Sequence, residues 1–206
     1  MKSIFNLALL TCIGAAVLVS LMSAPFIEVA MSLMLIGIVC LAKNDDNSQL
    51  LTMCFASVFI LSSFAMYILK NFVIPSVEGG YVQNIYAYST QLVLSLLLLF
   101  LLKHRMTIAV LLTRGKSASV FERNYAEGPL YLLVIFLVFV DFMALMENFI
   151  RNLEHLGINE ETAKIFWEWT FFYDYFAYLK AVPMLLCVTL LYVGLVVRTK
   201  RQPIQN

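Results

Sequence analysis

The chain has 206 residues, 62% of them hydrophobic, with a mean hydropathy of +0.86 and a net charge of +1. A water-soluble domain needs a polar outer layer that this composition cannot supply, and a net charge near zero gives no support to nucleic-acid binding. The expected fold class is an all-α membrane protein, a six-transmembrane-helix bundle in which residues 1–206 form a single integral membrane domain.

A helix needs roughly 20 apolar residues to cross the hydrocarbon core. The chain offers six such stretches, at about 4–24, 25–42, 49–69, 84–102, 129–150 and 172–197. The first, with Lys2 ahead of an apolar run that ends at Ser23-Ala24, has the outline of a secretory signal. Pro25 directly after the cleavage point and Met22 two positions before Ala24 oppose cleavage, so a retained helix is expected. Pro25 suits the first turn of the second span, where its missing N–H costs nothing.

A polar break, Lys43 to Ser48, separates spans two and three. Pro75 and the Gly79-Gly80 pair mark a loop between spans three and four. The stretch 103–128 is the largest basic segment. Within it, Met106 to Leu112 is too short to span and is predicted to be an interfacial helix. Residues 166–178 hold nine aromatic side chains, which predicts a belt at headgroup level or an aromatic-lined pocket. The helical pattern of the last span is expected to begin near Thr162. Pro183 removes a backbone hydrogen bond beside Lys180.

Charge sets the orientation. With both termini cytoplasmic, ten basic residues lie inside: Lys2, Lys43, Lys103, Arg105, Arg114, Lys116, Arg123, Arg198, Lys200 and Arg201. Lys70, Arg151 and Lys164 lie outside, and Lys180 falls within a span. The positive-inside rule favours that arrangement, in a plasma membrane or a bacterial inner membrane. The lipid bilayer is then the first partner. A second membrane protein, or further copies of this chain, would be another.

Motifs for catalysis and cofactors are missing. Gly115-Lys116-Ser117 lacks the upstream glycine of a phosphate loop, since Val110 stands there, and no strand precedes it. His104 and His155 fall on opposite sides and cannot share a metal. Cys12, Cys40, Cys54 and Cys187 form no C-x-x-C pair and read as small buried hydrophobes. An enzyme has no positive support, and no cofactor or metal is indicated.

The charges inside the spans are the candidate ion- or ligand-binding residues. Asp141 follows the apolar run 130–140 near the middle of span five, where a carboxylate costs at least ~2.5–3.5 kcal/mol unless protonated or paired. Glu28, Glu147 and Lys180 are placed at one depth nearer the outer boundary, with Asp174 close to that boundary and Gln91 near the middle of span four. Lys180 is therefore expected to reach Glu28 or Glu147 rather than Asp141. Arg151, four residues after Glu147, offers a local salt bridge. The face of Asp141 continues through Leu145 to Asn148 as a polar path. The function expected is binding or conduction of an ion or small solute through a polar cavity in the outer half of the bundle. The alternative is a non-catalytic subunit of a larger membrane complex.

Overall fold

The computed structural model describes residues 24–113 and 124–201, together with Leu10, Thr11, Ile13, Gly14, Val17 and Ser20. Among these residues all regular structure is helical. The helices are α1 (Ala24–Leu41), α2 (Asp46–Ile68), α3 (Gly80–Lys103), α4 (Arg105–Thr113), α5 (Glu127–Arg151) and α6 (Phe171–Arg201). Four helical stretches are long and apolar enough to cross a membrane: Asp46–Ser76, Gly80–Lys103, Glu127–Arg151 and Glu160–Lys200. The apolar part of α1, Ile27–Leu41, is shorter. Most of the first expected span, 4–24, lies outside the described residues, as do Gly115 and Lys116.

Local sequence accounts for the helix ends. α2 continues past Ile68 through a wide turn, Leu69–Val73, and a tight one, Ile74–Ser76, that contains Pro75. Gly79 enters α3 at φ +92, a conformation strained for any residue with a Cβ. Gln83 Nε2 then donates to the carbonyls of Val77 at 3.0 Å and Ile74 at 3.4 Å, fastening the loop to the first turn of α3. Only His104 separates α3 from α4, the short helix expected at 106–112.

The start of α6 differs from expectation. The chain makes one helical turn at Glu160–Ala163, a tight turn at Lys164–Phe166, and then breaks before Phe171. Thr170 ends the break. Its hydroxyl donates to Asp174 Oδ2 at 2.6 Å, and its carbonyl accepts from the Asp174 N–H at 2.8 Å. From Phe171 the helix continues through Pro183 to Arg201.

The long helices close into a ring. α1 packs on α2, α2 on α3, α3 on α5, α5 on α6, and α6 back on α1. Each contributes an apolar stripe at helical spacing to one core. Met31, Leu35 and Ile38 come from α1, Leu94, Leu98 and Leu102 from α3, and Leu130, Val134 and Leu137 from α5. Phe55 of α2 and Cys187 of α6 are fully buried among them. The outside of the ring is apolar as well, with Leu33, Phe64, Val93, Phe100, Leu132 and Phe139 all exposed. Helices apolar on every side bury one face in protein and give the other to lipid.

Candidate functional site

Four of the six expected site residues meet near the centre of the ring. Asp141 of α5 is fully buried. The Lys180 ammonium of α6 donates to its two oxygens at 2.7 and 2.8 Å. Ser95 of α3 completes the group. Its hydroxyl donates a short hydrogen bond to Asp141 Oδ2 and accepts from Lys180 Nζ at 3.4 Å. Every polar atom of the pair is thus engaged, as a buried ion pair requires.

This pairing corrects the expected one. Lys180 stands about 14 Å along α6 from Phe171, and Asp141 about 15 Å along α5 from Arg151, at about 1.5 Å per residue. The two therefore share a depth, and Glu147 lies one to two turns nearer the helix end. The expected span bounds at 150 and 172 themselves set Asp141 and Lys180 nine and eight residues in, so the shallower Glu28 and Glu147 were the wrong match for Lys180. In the structure Phe172 and Phe176 turn inward and pack with Tyr88, Ala144 and Leu145. Phe176, one turn before Lys180, also lies with its ring centroid 6.0 Å from the ammonium. The same apolar layer interrupts the path expected from Asp141 to Asn148. Asn148 instead accepts from Asn84 at 3.3 Å and donates to the Tyr81 carbonyl at 3.2 Å.

Glu28 of α1 and Gln91 of α3 sit beside the pair. Gln91 Nε2 donates to Glu28 Oε1 over 3.5 Å, the long end of a hydrogen bond. No ion pair reaches Glu28 among the described residues. Two adjoining cavities, of about 30 and 80 Å³, are both lined by Glu28, Gln91, Lys180 and Met184. Ser62 and Ser95 add polar lining to the smaller one. A water needs roughly 10–15 Å³ of such space, so one or a few waters fit and an organic solute does not.

Glu147 and Asp174 do not belong to this group. Glu147 accepts the backbone N–H groups of Phe172 at 2.8 Å and Tyr173 at 2.7 Å, so a side chain of α5 caps the first turn of α6. A carboxylate at a helix N-terminus also meets the positive end of the helix dipole. Arg151 does not pair with Glu147. Its guanidinium lies 4.8 Å from the centroid of the Tyr173 ring. Asp174 serves the same helix end through Thr170.

A second polar network, missed in the sequence, closes the opposite end of the ring. Arg198 of α6 holds Asp45 through Nε at 2.7 Å and Nη2 at 3.1 Å, and Ser48 donates to Asp45 at 2.6 Å. Arg105, almost fully buried, makes a two-pronged contact with Glu127 at 3.1 and 3.0 Å. It also donates to Asn47 at 2.7 Å, and Asn124 donates to the same Asn47 oxygen at 3.4 Å. Burial pushes the Asp45 carboxyl up. The hydrogen bonds and charge of Arg198, with the Ser48 bonds, outweigh that and hold it below its ordinary value. Asp45, Asn47 and Ser48 read as an ordinary polar break, and only the Asp-Asn-Ser composition before an apolar run signalled a helix start.

The histidines bind nothing in common. His104 lies against Phe100 and His155 stacks on Tyr81, at opposite ends of the ring. Among the described residues no group of acidic, Cys or His side chains could hold a metal. No protein-family model matches the chain, and no curated protein or solved structure is similar to it.

Proposed function

We propose that this chain is a six-span membrane protein, with both termini cytoplasmic in a plasma or bacterial inner membrane, that binds and passes a small ion at the cavity enclosed by α1, α2, α3, α5 and α6. Glu28 and Lys180 line it, and the Lys180 ammonium is already held by Asp141 behind the wall, so two carboxylates share one ammonium, and this excess of one acid carries the proposal. A carboxylate with no ion pair of its own is costly inside a membrane, and taking up a cation or a proton relieves the cost. Glu28 is the exchangeable group. Asp141 is already satisfied by Lys180 and Ser95.

The volumes favour a proton over larger cargo. A cavity of about 30 Å³ with an adjoining one of about 80 Å³ admits water and excludes an organic solute. The Lys180 ammonium also fills the position at Asp141 where a metal cation would bind. Purified protein in vesicles loaded with a pH-sensitive dye, under an imposed potential, should acidify the lumen. Glu28→Gln should abolish the signal while the protein still elutes as a single folded species. Flux equal to the parent's in that variant, or no flux in either protein, would reject the proposal.

The second reading is a non-catalytic subunit of a larger membrane complex. Glu28 favours it in one respect. It is only half-buried on α1, and the larger cavity opens between α1 and α6. A basic residue of another chain would then complete the site. A stoichiometric partner recovered in mild detergent, and lost with Glu28→Gln, would select this reading.

A further inference from the structure

A larger cavity than the two at Glu28 lies elsewhere, at the aromatic end of the ring. It has a volume of about 430 Å³ and is walled by Met143, Met146 and Ile150 of α5, by Trp169 of the break before α6, and by Phe171 and Phe172 at the start of α6. Small-molecule sites usually fall between roughly 300 and 1,000 Å³ with a mostly apolar lining. Two acids, Glu147 and Glu168, complete the wall, and no basic residue lines it.

We infer that this groove binds a cationic amphiphile, a molecule with an alkyl or aryl body and a positively charged head. The arrangement of α5 supplies the body's contacts. Met143, Met146, Glu147 and Ile150 recur at helical spacing and form one stripe, distinct from the Asp141 face. Methionine adapts to varied apolar shapes. Met143 and Met146 lie deeper than Ile150, by one to two helical turns, so a tail lies inward and a head outward.

The rim supplies the charge. Glu147 is spent on the backbone of α6, but Glu168 is exposed and no ion pair reaches it among the described residues. The nearby cations are engaged away from the groove. Lys164 pairs with Glu160 at 2.9 Å, and Arg151 lies over Tyr173. Trp169 stands beside Glu168 with its ring exposed, and an indole face attracts a quaternary or protonated amine. An anionic amphiphile would meet two carboxylates and no cation.

The chain has two tryptophans, so Trp167→Phe leaves Trp169 as the sole indole reporter. In that background, reconstituted in nanodiscs of zwitterionic lipid, an alkyl trimethylammonium brominated on its chain should quench Trp169 saturably. Glu168→Gln should weaken the apparent affinity roughly fivefold, the reach of one exposed charge contact. Glu168→Lys should abolish the saturable phase. Both changes fall on an exposed side chain outside the core, so the fold survives them. Equal quenching by a brominated neutral glucoside of the same chain length would mean apolar partitioning only and would overturn the inference. So would quenching unchanged in Glu168→Lys, or no saturable quenching at all.

Discussion

The Lys180 ammonium lies 2.7 and 2.8 Å from the two oxygens of Asp141, inside a ring of largely apolar helices. Each group alone would be a costly charge in the membrane. Together with Ser95 they are mutually satisfied, and the pair joins α5 to α6 at mid-depth. Such a pair contributes little net stability over apolar residues, but breaking it is expensive because one charge is stranded.

That asymmetry gives the first prediction. Asp141→Asn and Lys180→Met should each destabilise the protein by about 3–5 kcal/mol, measured by SDS-induced unfolding in mixed micelles. The double variant should cost less than the sum of the two by about 1–3 kcal/mol, because neither stranded charge remains. Strictly additive losses would show that the two groups are not energetically coupled.

The cap on α6 gives the second. Removing Glu147 leaves the N–H groups of Phe172 and Tyr173 without their acceptor. Glu147→Ala should cost about 1–3 kcal/mol and speed hydrogen exchange at those two amides. Glu147→Gln keeps one carbonyl oxygen and should fall between the parent and the alanine variant. Arg151→Ala should leave exchange at both amides unchanged, since Arg151 does not hold Glu147. Fast exchange in the arginine variant would instead restore the local salt bridge that the i,i+4 spacing suggested.

Among the described residues the apolar runs made the long helices legible, and their ends fell within a few residues of those expected from Pro75, Gly79 and the polar break at 43–48. The costly acids Asp141 and Glu28 and the single intramembrane lysine were visible too, because hydropathy marks any charge inside a span. The span bounds at 150 and 172 also put Asp141 and Lys180 within about one residue of the same depth, so their pairing was open to the sequence although Glu28 and Glu147 were expected instead. The break at 167–170, which starts α6 nine residues after Thr162, was not legible. No Gly or Pro marks that break, and the Thr170–Asp174 bond at its end shows only in the fold. Glu147 could not be read as a cap for the same reason. The network of Asp45, Asn47, Arg105, Glu127 and Arg198 joins residues far apart in sequence, and no local spacing announces such a convergence. The large groove at Trp169 follows from the same break.

Asp45 provides a pH test. Its folded carboxyl ionises more readily than the ordinary value of 3.8 would allow, on balance because Arg198 and Ser48 outweigh its burial. A depressed acid contributes its stability above the unfolded value and loses it as pH falls through the folded one. The parent should therefore exceed Asp45→Asn in stability by a constant margin from pH 8 down to about pH 5. The margin should narrow only below 3.8 and close once the folded carboxyl is protonated. Thermal unfolding in detergent, followed by the loss of the folded peak in gel filtration, reads it. A margin that already shrinks between pH 8 and pH 6 would mean that another group titrates with this network.

Orientation can be tested independently of any activity. Ten of the fourteen basic residues share one side in the proposed topology. Two of them, Arg105 and Arg198, sit in the network that closes that end of the ring, so the charge bias and the network mark the same end. The aromatic end carries Trp167, Trp169 and the turn at Glu160–Ala163. In a chain cleared of its four native cysteines, Tyr125→Cys and Glu161→Cys place thiols at exposed positions on opposite ends. A membrane-impermeant maleimide should label Glu161→Cys in intact cells and reach Tyr125→Cys only after lysis. Labelling of Tyr125→Cys in intact cells would invert the bundle. The Arg105 and Arg198 network would then face outward, against the positive-inside rule, and the groove at Trp169 would open to the cytoplasmic leaflet.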